Sequence, residues 1–359
     1  MKKNILLHGA TNFESSNYGD FIYGEMIYNY LLQNNEKINV RFFQPSNFFN
    51  KFLKNSNNNQ KFSVFKTDAL IYIPGGYFGE GHNARFRDNL VQFLRFLPVG
   101  LFAVLKKIPI VVLGIGAGPN NNFLMNFGIS NIVNNSLVVT ARDRESFEAL
   151  KKLSSNPKIV ECFDMILSNE YNTSFESEQL SSILDKVGDK KILLVHYNHS
   201  QEALFKFAES VKKFVEVNND YQIVVTSDSL LSFEDEFFSK FSQMVQKEVL
   251  LFKYEDPNEL TKLIHMSSLI LTCKLHLGVI GCLFNKSVVV AACHPEKTNR
   301  FYRDINQPDR SFSLFDASST EIYQSLEKFK NDCVRIPENC FINSRISWQM
   351  LADFLGNFS

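Results

Sequence analysis

The sequence predicts an α/β protein made of two Rossmann-like, doubly wound domains facing each other across a cleft, and three features lead there. Short apolar runs alternate with longer stretches of three- and four-residue apolar spacing, the pattern of βαβ units around a parallel sheet. This alternation stops in a polar, aperiodic stretch from Asn169 to Asp189 and then starts again. At 359 residues the chain is long enough for two cores of ordinary size. The expected divisions are an N-terminal domain over 1–170, a linker over 171–189, a C-terminal domain over 190–340, and a segment 341–359 whose helix returns to the first domain.

Composition narrows the function classes. Lys plus Arg and Asp plus Glu number 38 each, so no global charge draws the protein to nucleic acid, and any anionic ligand must be held by local charge. The six cysteines show no CxxC spacing, which argues for reduced thiols and against a disulfide framework or zinc site, and so for a cytoplasmic protein. The apolar part of the N-terminus, Ile5 to Leu7, is too short for a signal peptide and reads as the first strand. The most apolar region, Leu90 to Gly116, is interrupted by Arg95, Pro98, Lys106, Lys107 and Pro109, which makes it a helix followed by a strand.

In the first half, the strand Lys3 to His8 leads into a polar loop ending in Asn17-Tyr18-Gly19-Asp20. A helix follows with apolar positions Phe21, Ile22, Met26, Ile27, Tyr30 and Leu31. Strands near Asn39 to Phe42 and at Asp68 to Ile73 come next, separated by an Asn-rich segment, Asn50 to Lys61, expected to be mobile. The third strand runs into a loop, Pro74 to His82, with four glycines, Gly75, Gly76, Gly79 and Gly81. A helix from Ala84 to Leu97 precedes the strand Ile108 to Leu113 and a second glycine loop, Gly114 to Pro119. That GxGxGP run is not a dinucleotide fingerprint: it lies on a fourth strand, has Pro at the helix entry, and lacks the acidic strand end about twenty residues on. The next strand, Leu137 to Thr140, runs into Arg142-Asp143-Arg144-Glu145-Ser146 at a helix start. An arginine is out of place there, so Arg142 either binds an anion or pairs with Asp143 or Asp164.

The second half repeats the alternation, with strands at Lys190 to His196, Tyr221 to Thr226, Glu248 to Phe252, Ser268 to Thr272 and Ser287 to Ala292. After the fourth of these comes Cys273-Lys274-Leu275-His276-Leu277-Gly278, which places a cation and an imidazole at a strand-to-helix junction. In an open α/β sheet that edge is where ligands bind and where free N–H groups attract anions. The last of these strands ends in another polar run, Cys293 to Arg300, and a final helix near Ser347 to Phe358 closes the chain.

Taken in order, these elements form one set: an NxGD loop, a PGG loop, a GxGxGP loop, a TxRDxxS helix start, and late in the chain a basic residue two before a histidine. The set resembles the polysaccharide pyruvyltransferase family over nearly the whole chain. The resemblance implies a GT-B-like fold and transfer of the pyruvyl group of phosphoenolpyruvate to two sugar hydroxyls, giving a cyclic ketal and phosphate. It also implies a saccharide acceptor, often lipid-linked, on the side of the first domain and the donor on the side of the second. The family's positions fall on Asn17, Gly19 and Asp20; Gly75 and Gly76; Gly114, Gly116, Gly118 and Pro119; Arg142, Asp143 and Ser146; Lys274 and His276; and Lys297. Two departures stand out. Lys274 occupies the position of an arginine, so a point charge replaces a two-pronged guanidinium, and Pro74 stands where many members have glycine.

On this basis His276 is the general acid/base, because an imidazole moves protons near neutrality. Lys274, Arg142 and Lys297, with Gly116 and Gly118, are expected to bind the donor's anionic groups. Asn17, Gly19, Asp20, Gly75, Gly76, His82 and His196 are expected on the acceptor side, His196 and His199 having capping as their alternative. His8 reads as structural, and His294 lies in a polar loop without an assigned role. No metal-ligand spacing or DxD pattern appears at the strand ends, so no cofactor and no metal are expected. Phe93, Phe96, Leu97, Leu101 and Phe102 beside Arg95, Lys106 and Lys107 read either as a buried core helix or as a peripheral contact with the inner face of the cell membrane. The competing readings are a GT-B glycosyltransferase using a nucleotide sugar and a non-catalytic saccharide-binding homologue.

Overall fold

The computed structural model describes residues 2–12, 17–34, 37–52, 63–80, 85–171, 173–175, 177–197, 201–228 and 234–358. The chain divides into two compact units. The first comprises Met1–Ser16, Asp20–Asn169 and Asn339–Ser359, and the second comprises Asn17–Gly19 and Glu170–Glu338.

The first unit carries seven strands: β1 (Lys3–His8), β2 (Ile38–Phe42), β3 (Ala69–Tyr72), β4 (Gly75–Phe78), β5 (Ile110–Ala117), β6 (Val138–Ala141) and β7 (Ile159–Glu161). Their order is β2-β1-β3-β5-β6-β7, with β4 pairing β5, and every pairing is parallel. Strands covered on both faces must be apolar throughout, and β3, β5 and β6 are buried along their whole length. The core on one face joins Leu70, Tyr72, Val112 and Ile115 to Met125, Ile129 and Ile132 of the helix Phe123–Asn134.

The second unit holds β8 (Lys191–His196), β9 (Tyr221–Thr226), β10 (Val249–Phe252), β11 (Leu269–Thr272), β12 (Ser287–Ala292) and β13 (Ser311–Ser313) in the order β10-β9-β8-β11-β12-β13. All are parallel, and in sequence rank this is the 3-2-1-4-5-6 order of a dinucleotide-type sheet. The order reverses between β8 and β11, so the crevice at that switch point is where such a sheet takes its ligand. The two parallel, helix-covered sheets are the doubly wound pair that the alternation predicts.

Several local expectations need correction. The two glycine loops are largely strand. β5 continues through Ala117, and Gly75 to Phe78 form β4 against it. Gly114 makes this workable: its φ of +50° shifts the register against β6, and its N–H is met by Thr140 Oγ1 at 2.7 Å. The region after Gly81 contains two helices, Phe86–Phe96 and Pro98–Leu105, because Pro98 suits a helix first turn and ends the preceding one. The stretch read as a linker contains the helix Glu178–Val187, capped by Ser177 and buried through Leu180, Ile183 and Val187. Most of the Asn-rich segment expected to be mobile, residues 53–61, lies outside the described residues.

The last helix starts earlier than expected and spans Glu338–Phe358. It packs on the first unit. Ser347 Oγ bonds to Thr140 Oγ1 at 2.8 Å, Ser344 Oγ to Ser168 Oγ at 2.9 Å, and Trp348 stacks obliquely on Tyr30 with ring centres 4.8 Å apart.

Candidate active site

At the switch point of the second sheet, three neighbouring strands end in polar residues. β8 ends in His196, β9 is followed by Ser227 and Asp228, and β11 ends in Thr272 before Lys274. His196 pairs in register with Thr226 on one side and Thr272 on the other. Its Nε2 stands 3.3 Å from Asp228 Oδ1, and its Nδ1 stands 2.9 Å from Thr272 Oγ1. Thr272 Oγ1 in turn accepts the backbone N–H of Lys274 at 3.1 Å. A line of polar contacts therefore runs from the Asp228 carboxylate to the backbone that bears Lys274. Burial would raise the Asp228 carboxyl, but His196 first, then Lys274 and His276, outweigh it and hold its pKa down at about 2.

Lys274 has extended backbone (φ −119°, ψ 142°) and is the N-cap residue of the helix Leu275–Leu283. Lys274 and His276 are half-buried, whereas Leu277 to Cys282 are buried against the sheet. The sequence here is apolar almost all round, which suits a helix whose middle is covered by protein. Gly278 and Gly281 let it sit close: a Cβ on Gly278 would stand 2.6 Å from Tyr302 Oη, and one on Gly281 2.7 Å from Ile270 Cδ1. The imidazole of His276 faces Gly19, where a Cβ would stand 2.0 Å from its Nδ1. The segment Asn17–Gly19 thus belongs to the second unit's site. It is fastened there by the Tyr18 N–H, which donates to Asp228 O at 2.9 Å, and by Tyr18 Oη against Thr261 Oγ1 at 2.7 Å. Asn17 Oδ1 accepts the Gly19 N–H at 3.0 Å.

β12 brings Cys293 beside Cys273, whose carbonyl accepts the Cys293 N–H at 3.1 Å. The hydrogen bond with the Cys273 thiol, aided by Lys274, lowers the Cys293 thiol against the effect of burial. None of the six cysteines is in a disulfide among the described residues. Lys297 lies in the first turn of the helix Pro295–Asp304, at the same edge of the sheet, and His294 is that helix's exposed N-cap residue.

A second polar constellation sits in the first unit. Arg142 follows β6 and is 7% exposed. Asp143, the N-cap residue of the helix Arg144–Leu153, accepts the Ser146 N–H at 2.7 Å and stands 3.7 Å from Arg142 Nε. Tyr23 Oη donates to Asp164 Oδ2 at 2.7 Å. Burial disfavours the guanidinium charge, but Tyr23, Asp164 and Asp143 more than compensate and raise its proton affinity. Arg142 Nη1 is buried without a hydrogen-bond partner among the described residues. Both readings of Arg142 thus have support here, internal pairing and a donor left for a ligand.

The structure alters several expectations. Gly116 lies against the Arg142 guanidinium, where a Cβ would stand 2.9 Å from Nη2, so it makes room for that side chain. Gly118 has φ +77° and gives its N–H to Phe78 O at 3.3 Å, so that N–H is not available to a phosphate. Its neighbour Gly79 is required by close approach, a Cβ there meeting the Gly118 backbone at 2.5 Å. Gly75 and Gly76 are strand residues of β4, and Gly75 packs on the Tyr77 ring. His196 is wholly buried and held by Asp228 and Thr272, so it takes an internal role in place of the expected sugar contact. Asp20 is in the first turn of the helix Tyr18–Asn34, where a carboxylate suits the helix dipole. His8 is buried, with Nε2 3.1 Å from Phe96 O, and burial lowers its pKa to about 4. His82 and His199 lie outside the described residues. Among the described residues no group of three or more His, Cys, Asp or Glu is placed to hold a metal ion.

Sequence reasoning missed Asp228. In Thr226-Ser227-Asp228-Ser229 it looks like an ordinary turn residue, and only the pairing of β9 beside β8 brings it to His196.

Comparison with known proteins agrees with this picture. The fold matches UDP-sugar enzymes of GT-B type. With S. aureus MnaA in its UDP co-structure the TM-score is 0.68 at 12% identity, covering 100% of this chain and 98% of that one. With the Methanocaldococcus jannaschii UDP-GlcNAc 2-epimerase in complex with UDP-GlcNAc and UDP it is 0.63 at 14% identity, covering 99% of each chain. The Neisseria meningitidis UDP-GlcNAc 2-epimerase bound to UDP-GlcNAc gives 0.63 at 12% identity, covering 98% of this chain and 100% of that one. At such identities the likeness is one of fold. No curated protein matches the chain. The family model for polysaccharide pyruvyl transferase matches residues 17–295, from the Asn17–Asp20 segment through Lys274 and His276 to the start of the Lys297 helix, and on that match the chain belongs to the polysaccharide pyruvyl transferase family.

Proposed function

We propose that the protein transfers the pyruvyl group of phosphoenolpyruvate to two hydroxyls of a saccharide, forming a cyclic ketal and releasing phosphate. The observation that carries this reading is the first turn of the helix Leu275–Leu283, where Lys274 and His276 stand together at a helix N-terminus beside the sheet's switch point. Helix N–H groups and an ammonium favour the donor's carboxylate and phosphate. Lys297, one strand over, adds a second cation.

The chemistry asks for one proton relay. Protonated His276 delivers its proton to the methylene carbon, which becomes the methyl group, as a first sugar hydroxyl adds to C2 of the enol phosphate and passes its own proton to the phosphate. The C2–O bond then breaks and hydrogen phosphate leaves, after which the second hydroxyl adds to C2 and gives its proton to the now neutral His276, restoring the starting state. His276 is the half-buried imidazole of the first helical turn and serves as acid toward carbon and as base toward a hydroxyl. No step uses a metal or a cofactor.

The acceptor is proposed to be lipid-linked. The bent helix pair Phe86–Phe96 and Pro98–Leu105 exposes apolar side chains on both helices, Val91 and Leu94 on the first and Leu105 on the second, with Leu94 62% and Leu105 81% exposed. Exposed Arg85, Lys106 and Lys107 lie at its two ends. This differs from the residues read from sequence, because Phe96 and Leu97 are buried. Among the described residues no single helix is long and apolar enough to cross a membrane. Exposed apolar side chains beside basic ones suit contact with a bilayer surface.

A second reading, a nucleotide-sugar glycosyltransferase, draws on the 3-2-1-4-5-6 sheet order and the UDP complexes of the structural neighbours. Calorimetric titration with phosphoenolpyruvate and a panel of nucleotide sugars separates the two. Saturable binding of phosphoenolpyruvate, weakened in Lys274→Gln, supports the pyruvyl reading; tighter binding of a nucleotide sugar overturns it.

A further inference from the structure

The charged groups at the switch point are arranged around one carboxylate. Asp228 is 3% exposed, follows β9 and stands 3.3 Å from His196 of β8, while Lys274 and His276, from the end of β11 and the helix after it, and Cys293, from the end of β12, lie close enough to interact with its charge. Its backbone carbonyl takes the Tyr18 N–H, which fixes the segment whose Gly19 forms the wall behind the His276 imidazole. Removing a carboxylate from water is costly unless its charge is answered, and here the answering groups are the ones placed to work on a substrate.

His196 connects the carboxylate to the strand end in either protonation state. With Nε2–H toward Asp228, a neutral ring accepts at Nδ1 from the Thr272 hydroxyl, whereas a charged ring donates there while the hydroxyl turns to Lys274 O at 3.4 Å. In both cases Thr272 Oγ1 still accepts the Lys274 N–H. The imidazole is thus a spacer that transmits the position of Asp228 to the backbone of Lys274.

We propose that Asp228 and His196 form a positioning pair that holds Lys274 and His276 in register and keeps His276 able to carry a proton. Lys274 and the helix N-terminus both work against a protonated imidazole at His276, so a group of opposite sign is needed if His276 is to act as an acid near neutrality. Asp228 is that group. The inference rests on reading His276 as the proton-transfer residue, and its test needs no substrate.

His276 is titrated by NMR through its ring C–H signals, assigned with His276→Gln, in the wild-type protein and in Asp228→Asn and Asp228→Glu, each checked for folding by circular dichroism. The titration midpoint of His276 should fall by about one unit in Asp228→Asn, a tenfold loss of proton affinity, and recover in Asp228→Glu. A fall of less than about half a unit overturns the proposal. If Asp228→Asn does not fold, the wild-type midpoint decides: at or above about 6 it requires a compensating anion, and below that the proposal fails. The midpoints are read whether or not phosphoenolpyruvate is the donor, so failure of the positioning role and failure of the donor reading give separate results.

Discussion

Gly19 and the imidazole of His276 are in direct contact: a Cβ on Gly19 would stand 2.0 Å from Nδ1, 2.4 Å from Cγ and 2.9 Å from Cβ of the histidine. The clash falls on a side chain that can rotate away, so Gly19→Ala should leave the fold nearly as stable as before, within about 1 kcal/mol. It should displace the ring by roughly an ångström and lower kcat about a hundredfold. Denaturant unfolding and steady-state rates on one preparation check both parts. A variant with full activity would mean that the position of His276 is not what the glycine protects.

Arg142 should behave as a structural cation with one hydrogen-bonding group to spare. Arg142→Ala leaves the Tyr23–Asp164 pair and Asp143 without the charge that faces them, and should cost about 3–5 kcal/mol. Arg142→Lys keeps the charge but loses the planar fork that lies over Gly116, and should retain more of the stability while weakening donor binding. Unfolding midpoints paired with calorimetry on the lysine variant separate the two roles.

The buried His8 gives stability a defined pH dependence. Its folded pKa, near 4, lies below the ordinary value of 6.5, so the unfolded chain binds the extra proton first as pH falls. Its contribution is complete above about 6.5 and is lost progressively between there and about 4, on the order of 3 kcal/mol in all. His8→Gln keeps a donor for Phe96 O but does not titrate. Its unfolding free energy should change less between pH 7.5 and pH 5 than that of the wild-type protein, and equal changes would contradict this account of His8.

The exposed apolar side chains of the Phe86–Phe96 and Pro98–Leu105 helices should bind vesicles containing anionic lipid. Leu94→Glu with Leu105→Glu should abolish co-flotation without altering turnover of a water-soluble acceptor, because both side chains point away from the core. Flotation unchanged by the pair of substitutions would remove this surface from the account.

Much of the layout was legible because it depends on patterns local in the sequence. The alternation gave two parallel sheets, and Cys273 to Gly278 reads as a strand-to-helix junction from the apolar run before it and the small residues after it. What could not be read depends on contacts distant in sequence. Glycine disfavours strand, yet Gly114, Gly116, Gly75 and Gly76 all lie in paired strands, because Thr140 caps the bulge and Arg142 needs the space above Gly116. His196 looks like a loop-facing residue until Thr272 and Asp228 close around it. Asn17 to Gly19 belong to the second unit, where Tyr18 bonds to Asp228 and Thr261, a placement that no spacing rule shows.

The central claim is that His276 moves the protons of a ketal-forming transfer from phosphoenolpyruvate. Its most direct test is mass spectrometry of lipid-linked saccharides incubated with phosphoenolpyruvate and either the wild-type protein or His276→Gln, with released phosphate measured alongside. The account predicts a pyruvyl ketal and an equivalent of phosphate from the wild-type protein, and a loss of at least a hundredfold in both from the variant. Equal ketal yield from the two proteins, or a glycosyl product in place of the ketal, would contradict it.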